Sequence, residues 1–396
     1  MIRGVELAQY RNNIRQWRNK KEMQVAQMMA QLQCVLRVAF VIVNNIYCIP
    51  TYLIWMWAFM LPIRDTRLYI WAEKILYKNL LLMVGYWSFS AGYKIHEVGD
   101  DIEDLYDKRT LLIANHQSTG DVPLLMASFQ VKKYVCDNVM WVMDAMFKYT
   151  NFGFVSMTHG DFFITQGKDT RQSQLDTFKQ HLLEVYLPRQ LQWMVIFPEG
   201  GFLSKRLESS QRFASKNGFP KLDNVTLPRV GAAKLALDIL TDKEYLKGQA
   251  PMEYLVDLTI GYPGAPLRPL DILAIVTGYR KPHSVYFHYR KFALKDVPFD
   301  DSDKLTTWMY ERWVEKEQLL KHFYEHGQFP SSQTEDEPSI TTTPDAEQRR
   351  SQETRIERPR IVQLNHAWVF FVNILWILSS LFHLALFRSA KAYFFE

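Results

Sequence analysis

A histidine and an aspartate stand five residues apart in the stretch IANHQSTGDVP, as His116 and Asp121. On one continuous helix this spacing would point the two side chains away from each other. A turn at Gly120 would bring them together, and the carboxylate would then fix the imidazole tautomer and raise its basicity. The second ring nitrogen could take a proton from a hydroxyl. The alternative is that both residues only brace the start of a helix.

Two other glycine-containing segments could contact a ligand. In VIFPEGG an apolar run leads into Glu199, Gly200 and Gly201, where backbone N–H groups can approach a ligand and the carboxylate can accept a hydroxyl. In HGDFFITQG, residues 159–167, two phenylalanines could line an apolar slot or fill the core. A tight turn with a surface glutamate is the alternative for the first segment.

Short apolar runs that alternate with helix-like patterns position these segments. The runs TLLIA, GFVSM, QWMVIF, YLVDLTI, ILAIVTGYR and SVYFHYRKF are predicted strands, and residues 172–186 and 230–240 are predicted helices. This alternation predicts an α/β fold with helices on both faces of the sheet. Ligands bind at the carboxyl ends of the strands in such folds, and His116 would lie there.

Apolar stretches on both sides of this unit indicate a membrane. Residues 367–387 carry no formal charge and have the length of about 20 residues that a bilayer core requires, so we predict a transmembrane helix. Residues 34–94 are predicted to form membrane-associated helices. For 34–63 a hairpin, a bent interfacial pair and a single span all remain open, as do buried helices of a soluble domain. The segment 72–93 would lie on the membrane or pack on the core.

The remaining segments are polar. Residues 1–33 are polar and basic, which argues against a cleaved signal peptide. Residues 331–360 contain no aromatic residue and are a predicted disordered linker. The domain that carries the candidate site is therefore expected at 95–330.

Composition and missing motifs exclude several classes of function. The net charge of +5 is mild, and the absence of a basic stripe interleaved with aromatics argues against a nucleic-acid partner. The three cysteines, Cys34, Cys48 and Cys136, are too widely spaced for a disulfide framework or a zinc site. The sequence has no GxSxG, Walker loop, GxGxxG or metal-ligand cluster. With these classes excluded, the remaining interpretation is that His116 acts as a base on the hydroxyl of a substrate.

The order NHxxxxD, GxxFI, FPEG resembles the motifs of the glycerophospholipid acyltransferase family. The matching positions are Asn115, His116 and Asp121, then Gly160, Phe163 and Ile164, then Phe197, Pro198, Glu199 and Gly200, with LPRVGAAKLA around Arg229 similar to a fourth element. Longer stretches such as FPEGGFLSKR and LTTWMYERWVEKEQLL closely resemble the acyl-CoA:lysophosphatidylglycerol acyltransferase subfamily. The likeness spans about residues 36–330.

This resemblance implies a glycerol-3-phosphate acyltransferase-like mixed sheet in a protein of the endoplasmic reticulum membrane. The substrates of the protein would be acyl-CoA and a lysophospholipid, and the reaction would need no metal or other cofactor. The resemblance does not indicate a protein partner. The catalytic domain would face the cytosol, where acyl-CoA is made. His116 would be the general base and Asp121 would orient it. The resemblance implies substrate binding by Asn115, Gly160, Phe163, Ile164, Glu199, Gly200, Gly201 and Arg229.

Some positions depart from the family pattern. Gln166 and Phe202 stand where arginine is usual, Gly201 where threonine is frequent, and Asp257 where proline is usual, although Pro263 is present. A phosphomonoester favours a fork of guanidinium donors, so the missing arginines predict a phosphodiester acceptor such as lysophosphatidylglycerol. Lysophosphatidylethanolamine, lysophosphatidylinositol and monoacylglycerol remain open. So do a catalytically idle membrane scaffold and a lipid hydrolase.

Overall fold

A computed structural model describes residues 2–63, 66–165, 167, 169–264, 269–280, 284–330, 356 and 359–395. Within them, eight strands form one mixed sheet in the order β4-β3-β5-β2-β6-β7-β1-β8. The strands are β1 (Lys94–Gly99), β2 (Thr110–Ala114), β3 (Val139–Asp144), β4 (Phe162–Ile164), β5 (Trp193–Ile196), β6 (Tyr254–Gly261), β7 (Ser284–Ala293) and β8 (Arg360–Ile361).

Helices cover both faces of this sheet. They are α1 (Ile2–Ile54), α2 (Arg67–Ser90), α3 (Asp121–Phe129), α4 (Asn151–His159), α5 (Arg171–His181), α6 (Leu203–Asn217), α7 (Gly231–Thr241), α8 (Lys243–Leu246), α9 (Ile272–Thr277), α10 (Ser302–His326) and α11 (His366–Phe395). A π-helical segment at Trp55–Phe59 follows α1, and another at Leu182–Tyr186 follows α5. The predicted α/β class and mixed sheet are confirmed.

Strand β2 lies at the centre of the sheet, and all five of its residues are buried. Its side chains alternate between two cores: Leu112 and Ala114 join the core beneath α1, α2 and α3, while Leu111 and Ile113 join the core beneath α5, α7 and α10. Such a two-sided apolar strand is typical of a parallel sheet covered on both faces. Strands β5 and β6 flank β2 and run parallel to it.

Two predicted strands are wrong, because both are helices. GFVSM lies in α4, where the Thr150 side chain accepts a hydrogen bond from Gly153 N and Gly160 ends the helix at φ 98°. ILAIVTGYR begins as α9, which the Asp271 side chain caps and Gly278 terminates. A short apolar run fits a buried strand and a buried helix equally well, so the capping residues decided both cases.

The end of the predicted linker belongs to the sheet. Most of 331–360 lies outside the described residues. However, β8 pairs antiparallel with β1, and the Arg360 guanidinium contacts Asp101 at 2.9 Å. Upstream, Ile356 N donates to Gly99 O at 2.9 Å. The folded unit therefore extends beyond residue 330 and includes the last residue assigned to the linker.

The apolar stretch near the N-terminus forms one long helix. Helix α1 continues through Pro50, and the chain turns back only before α2. The α2 segment packs on the core: Tyr77, Leu80 and Leu81 are buried, and the helix lies against α3. By length and composition, 18–59 and 366–393 could each cross a membrane.

Helices α1 and α11 pack side by side through polar side chains. Asn44 Nδ2 donates to Asn373 Oδ1 at 3.1 Å, and the hydroxyls of Thr51 and Ser380 lie 2.6 Å apart. Because residue numbers rise together along both helices, α1 and α11 run parallel. The α1–α2 pair is antiparallel, since Arg37 contacts Trp87 O and the Tyr52 hydroxyl donates to Glu73.

Candidate active site

Three neighbouring parallel strands deliver the central residues to one edge of the sheet. His116 follows β2, Glu199 follows β5 and Tyr262 follows β6. Because the three strands run in the same direction, their carboxyl ends meet at the edge where α/β proteins bind ligands. The predicted strand-to-helix loop after β2 is confirmed, and Asp121 is the first residue of α3.

His116 and Asp121 form a hydrogen-bonded pair. His116 Nδ1 lies 2.8 Å from Asp121 Oδ2, and the imidazole remains 13% exposed while the carboxylate is buried. Because Nδ1 faces the carboxylate, Nε2 is left for a substrate. Gly120 N–H and the Ser118 hydroxyl close the turn between the two residues at 3.0 Å. The expected turn at Gly120 is therefore present.

Donors on both oxygens hold the Asp121 side chain in place. Oδ2 also accepts hydrogen bonds from Gln117 N at 2.7 Å and Ser118 N at 2.9 Å. Oδ1 accepts one from the Tyr262 hydroxyl at 2.5 Å. Each hydrogen bond to a charged group contributes about 1.5–3 kcal/mol, so the carboxylate has little freedom to rotate.

Two aromatic rings pack against the His116 imidazole. Phe197 stacks on it with ring centroids 4.2 Å apart, and Phe202 lies at 4.5 Å with the planes tilted by 59°. The phenylalanine at the position where arginine is usual therefore forms a wall beside His116. Gln166, the other expected arginine position, lies outside the described residues.

Glu199 braces the histidine loop through buried hydrogen bonds. Its Oε1 accepts from His116 N and from Trp313 Nε1, both at 3.3 Å. Its Oε2 accepts from Thr226 N at 3.2 Å and from the Thr226 hydroxyl at 2.9 Å. Burial raises the pKa of Glu199 to about 8, and these donors work against that shift. The carboxylate is occupied by the chain itself, whereas the sequence predicted a contact with substrate.

Helix α10 supports the site from behind. Trp313 reaches Glu199, and Glu317 accepts hydrogen bonds from Asn224 N at 2.7 Å and Asn224 Nδ2 at 2.8 Å. Lys316 is buried and forms an ion pair with Asp257 on β6. Burial favours a raised pKa for Asp257, but the charges of Lys316 and Arg290 outweigh it and the pKa is lowered. Asp257 therefore has a structural partner at the position where the family has proline.

The two glycines after Glu199 lie beneath arginine side chains. Gly200 has φ 68°, and a Cβ there would lie 3.2 Å from Arg229 Cζ. The Arg206 guanidinium donates to Gly200 O at 2.9 Å. Burial lowers the pKa of Arg229, as do the neighbouring charges of Arg206 and Arg171. We call these three residues the arginine cluster. It places positive charge beside the loop in which Phe202 stands where arginine is usual.

The other predicted binding residues make contacts within the fold, and three of them lie away from His116. Both polar atoms of the buried Asn115 side chain pair with the Ile260 backbone, at 2.7 and 3.1 Å. Gly160 ends α4, while Phe163 and Ile164 lie in β4 at the edge of the sheet. Three strand spacings, about 14 Å, separate β4 from β2. No described contact joins any of these three residues to His116.

Sequence reasoning missed several residues of the site. Tyr262 and Trp313 lie more than 100 residues from their partners Asp121 and Glu199 in the sequence. Glu317 lies 93 residues from Asn224, and Thr226 lies 27 residues from Glu199. The only signal was the stretch WVEKE in α10, which the family resemblance contained without a role. Within the described residues, no group of three His, Cys, Asp or Glu side chains is arranged to hold a metal ion.

The chain is similar to known acyltransferases. The acyltransferase family matches residues 97–232, and the acyltransferase C-terminus family matches 275–365. The chain is 46% identical to human acyl-CoA:lysophosphatidylglycerol acyltransferase 1 over 76% of its own length and 84% of that protein. It is 43% identical to the mouse protein of the same name, over 77% of its own length and 85% of that protein.

A more distant relative and a solved structure are also similar. The chain is 27% identical to lysophosphatidylinositol acyltransferase 10 of Caenorhabditis elegans over 63% of its length and 61% of that protein. The crystal structure of PlsC, a 1-acyl-sn-glycerophosphate acyltransferase from Thermotoga maritima, matches 72% of the chain and 98% of PlsC. The TM-score is 0.38 and the identity 12%.

Proposed function

The chain belongs to the acyltransferase family, and on that premise we propose that His116 is the general base of acyl transfer from acyl-CoA to a lysophospholipid. The observation that carries the proposal is the 2.8 Å hydrogen bond between His116 Nδ1 and the buried Asp121 carboxylate. It fixes the tautomer in which Nε2 is unprotonated and available to a hydroxyl.

The reaction follows from this tautomer. His116 Nε2 removes the proton of the acceptor hydroxyl while the hydroxyl oxygen attacks the carbonyl carbon of the acyl-CoA thioester. The tetrahedral intermediate collapses, the carbon–sulfur bond breaks, and the departing CoA sulfur takes the proton from the imidazolium. Asp121 remains a carboxylate throughout and stabilises the imidazolium. The walls formed by Phe197 and Phe202 keep water from the ring during the transfer.

We propose that the acceptor is a phosphodiester lysophospholipid such as lysophosphatidylglycerol. Two relatives more than 40% identical are named for that substrate. Phe202 occupies an arginine position with an apolar ring. The arginine cluster would supply the counter-charge for the single negative charge of the phosphodiester. Lysophosphatidic acid, with nearly two charges, would be the poorer acceptor, because Phe202 stands where a guanidinium donor for the phosphomonoester is usual.

We propose that the catalytic domain faces the cytosol at the endoplasmic reticulum membrane. Acyl-CoA is a cytosolic substrate. The sequence Asn224-Val225-Thr226 is a glycosylation acceptor, but Asn224 Nδ2 donates to Glu317 and Val225 and Thr226 are buried. A glycan on Asn224 would break this contact behind the site. A catalytic domain on the cytosolic side of the membrane would not be glycosylated at Asn224.

The experiment is an acyl-transfer assay on the full-length protein purified in detergent. Labelled acyl-CoA is offered with lysophosphatidylglycerol, lysophosphatidylethanolamine, lysophosphatidylinositol, monoacylglycerol or lysophosphatidic acid, and with no acceptor. We expect acylated product that depends on a lysophospholipid, with kcat/KM highest for a phosphodiester. Free fatty acid without an acceptor would indicate a hydrolase. No product with any acceptor would contradict the proposed function, and equal or higher kcat/KM for lysophosphatidic acid would contradict the acceptor.

A further inference from the structure

The Tyr262 hydroxyl is a fourth donor to Asp121 and the only side-chain hydroxyl among the described residues that is hydrogen-bonded to it. Tyr262 directly follows β6, is 4% exposed, and lies 141 residues from Asp121 in the sequence. We propose that Tyr262 is a positioning residue that sets how strongly Asp121 attracts the proton on His116. This inference rests on the proposed function of His116.

The Tyr262 hydroxyl opposes the basicity of the pair. A donor on Oδ1 draws negative charge away from Oδ2, the oxygen that faces His116. The carboxylate then stabilises the imidazolium less strongly than it would without this donor. Burial and the Asp121 charge raise the pKa of Tyr262, so the phenol remains a donor over the whole working range. The bond also fixes the orientation of the carboxylate.

The other titratable groups around the pair come from two elements. Glu199 lies after β5 and accepts from the His116 backbone. Tyr324 and Lys316 belong to α10, where Tyr324 faces Asp121 and Lys316 is paired with Asp257. No described hydrogen bond joins Tyr324 or Lys316 to Asp121. Tyr262 is therefore the group whose removal changes the environment of Asp121 most selectively.

The test is the pH profile of kcat/KM for Tyr262→Phe in the full-length protein. We expect kcat to fall about tenfold with KM unchanged, because one hydrogen bond to a charged group is lost. We also expect the ascending limb of the pH profile to move to higher pH by roughly one unit, because the Tyr262 hydroxyl no longer draws negative charge from Asp121. Tyr289→Phe, the matched control, removes a buried hydroxyl that donates to a different carboxylate, Glu97 on β1, and should leave the limb in place.

A second variant keeps the test decisive if Tyr262→Phe does not fold. A difluorotyrosine at position 262 has a more acidic hydroxyl and donates a stronger hydrogen bond, so the ascending limb should move to lower pH. An unchanged limb in either folded variant would overturn the proposal, as would loss of stability without a shift. His116→Ala in the same assay distinguishes the proposed role of His116 from that of Tyr262. Wild-type turnover in His116→Ala would show that His116 is not the base, independently of the result for Tyr262.

A separate observation concerns how the apolar helices meet the bilayer. The folded body contacts α1 at Arg37, which donates to Ile275 O, and contacts the π-helical segment that continues α1 at Trp57, whose indole donates to Thr158. These contacts lie about 30 Å apart along the helix, which equals the thickness of a bilayer core. Helix α11 runs parallel to this part of α1, from its pairing with Asn44 to its pairing with Thr51.

A perpendicular α11 would therefore draw the body into the bilayer. Over the same length, α2 places Lys78 beside Asp137 at 3.5 Å and Lys74 beside Asn138 at 2.5 Å. Burying such charged groups in hydrocarbon costs several kcal/mol. In contrast, the outer side of α11 is apolar, with Phe370, Leu378 and Phe387 more than half exposed.

From this packing we infer that α11 lies within one leaflet of the bilayer and does not cross it. Its outer surface would contact acyl chains, with α1 and α2 between it and the catalytic body. Both chain ends would then be on the side of the catalytic domain. A transmembrane helix, as the sequence predicted, would put residue 396 on the opposite side.

The test appends a glycosylation tag after Glu396 of the full-length chain, synthesised with sealed microsomes. We expect no glycan and full digestion of the tag by external protease. The same tag behind 21 leucines in place of residues 367–387 is the control that reports a crossing. A glycan on the tag of the wild-type helix, or its protection from protease, would overturn the inference.

Discussion

The loop after β2 and the segment around β4 carry family motifs of similar length, but their hydrogen bonds differ. In the first, contacts converge on one partly exposed side chain: Asp121, Glu199 and Tyr262 all serve His116 or its partner. In the second, contacts point into the fold. His159 pairs with Glu73 of α2 at 2.9 Å and with Val139 O at 2.8 Å, and it is fully buried.

This difference indicates that the loop after β2 is suited to catalysis, whereas the β4 segment stabilises the fold. A general base needs one nitrogen fixed and the other accessible, and among these two histidines only His116 meets both conditions. Phe162 packs on Phe178 with ring centroids 4.6 Å apart, and Asp161 accepts from Trp141 N at 2.9 Å. The β4 segment joins the α2 layer to the sheet. Substitutions in the two regions should therefore differ in what they change.

Asp121→Asn should have the largest effect of these substitutions. The amide cannot stabilise the imidazolium, and it would present N–H groups to a site filled with donors, so kcat/KM should fall about 10²–10⁴-fold. Asp161→Asn makes the same chemical change in the β4 region and should keep activity per folded molecule within about threefold. Steady-state kinetics on both purified variants checks this. Equal losses would remove the distinction between the regions.

Glu199→Gln should have an intermediate effect. One carboxylate oxygen becomes an N–H group that faces a donor, so the brace on His116 N and Thr226 weakens. We expect kcat to fall about 10–100-fold with the KM for the acceptor unchanged. Exposed Glu208→Gln on α6 is the control. If the KM rises while kcat is retained, Glu199 contacts the acceptor directly, as the family resemblance implied.

Gly160→Ala should affect stability and not the chemistry. Gly160 has φ 98°, and an added Cβ would lie 2.6 Å from Val185 Cγ1. We expect the free energy of unfolding to fall by about 1–3 kcal/mol while activity per folded molecule stays near wild type. Thermal unfolding and active-site-normalised kinetics measure the two quantities. Gly218→Ala, also at positive φ but in open space, controls for backbone strain alone.

The sequence predicted the site where its parts are close in the chain. The strand, the loop and the helix start around His116 follow from an apolar run, a turn residue and a carboxylate within eleven residues. It did not predict the Tyr262 and Trp313 contacts, because nothing local marks a partner more than 100 residues away. The strands predicted at α4 and α9 are wrong because an apolar run alone fits a buried strand and a buried helix equally well, and the caps at Thr150 and Asp271 start helices there.

The same limit applies to the apolar helices. Their length and composition were evident from the sequence, but their parallel pairing depends on Asn44 meeting Asn373 from the other end of the chain. Hydropathy alone therefore predicts that a helix prefers lipid and leaves its orientation undetermined. The orientation follows from what the helix packs against.

The most direct test of the central claim is the single-turnover rate of acyl transfer by His116→Ala, measured on protein whose thermal unfolding midpoint equals that of wild type. The acceptor is lysophosphatidylglycerol, and CoA release and acylated product are followed together. We predict that both rates fall at least about 10²-fold, because the hydroxyl has lost its base. Wild-type rates in this folded variant would show that His116 is not the base and would contradict the account.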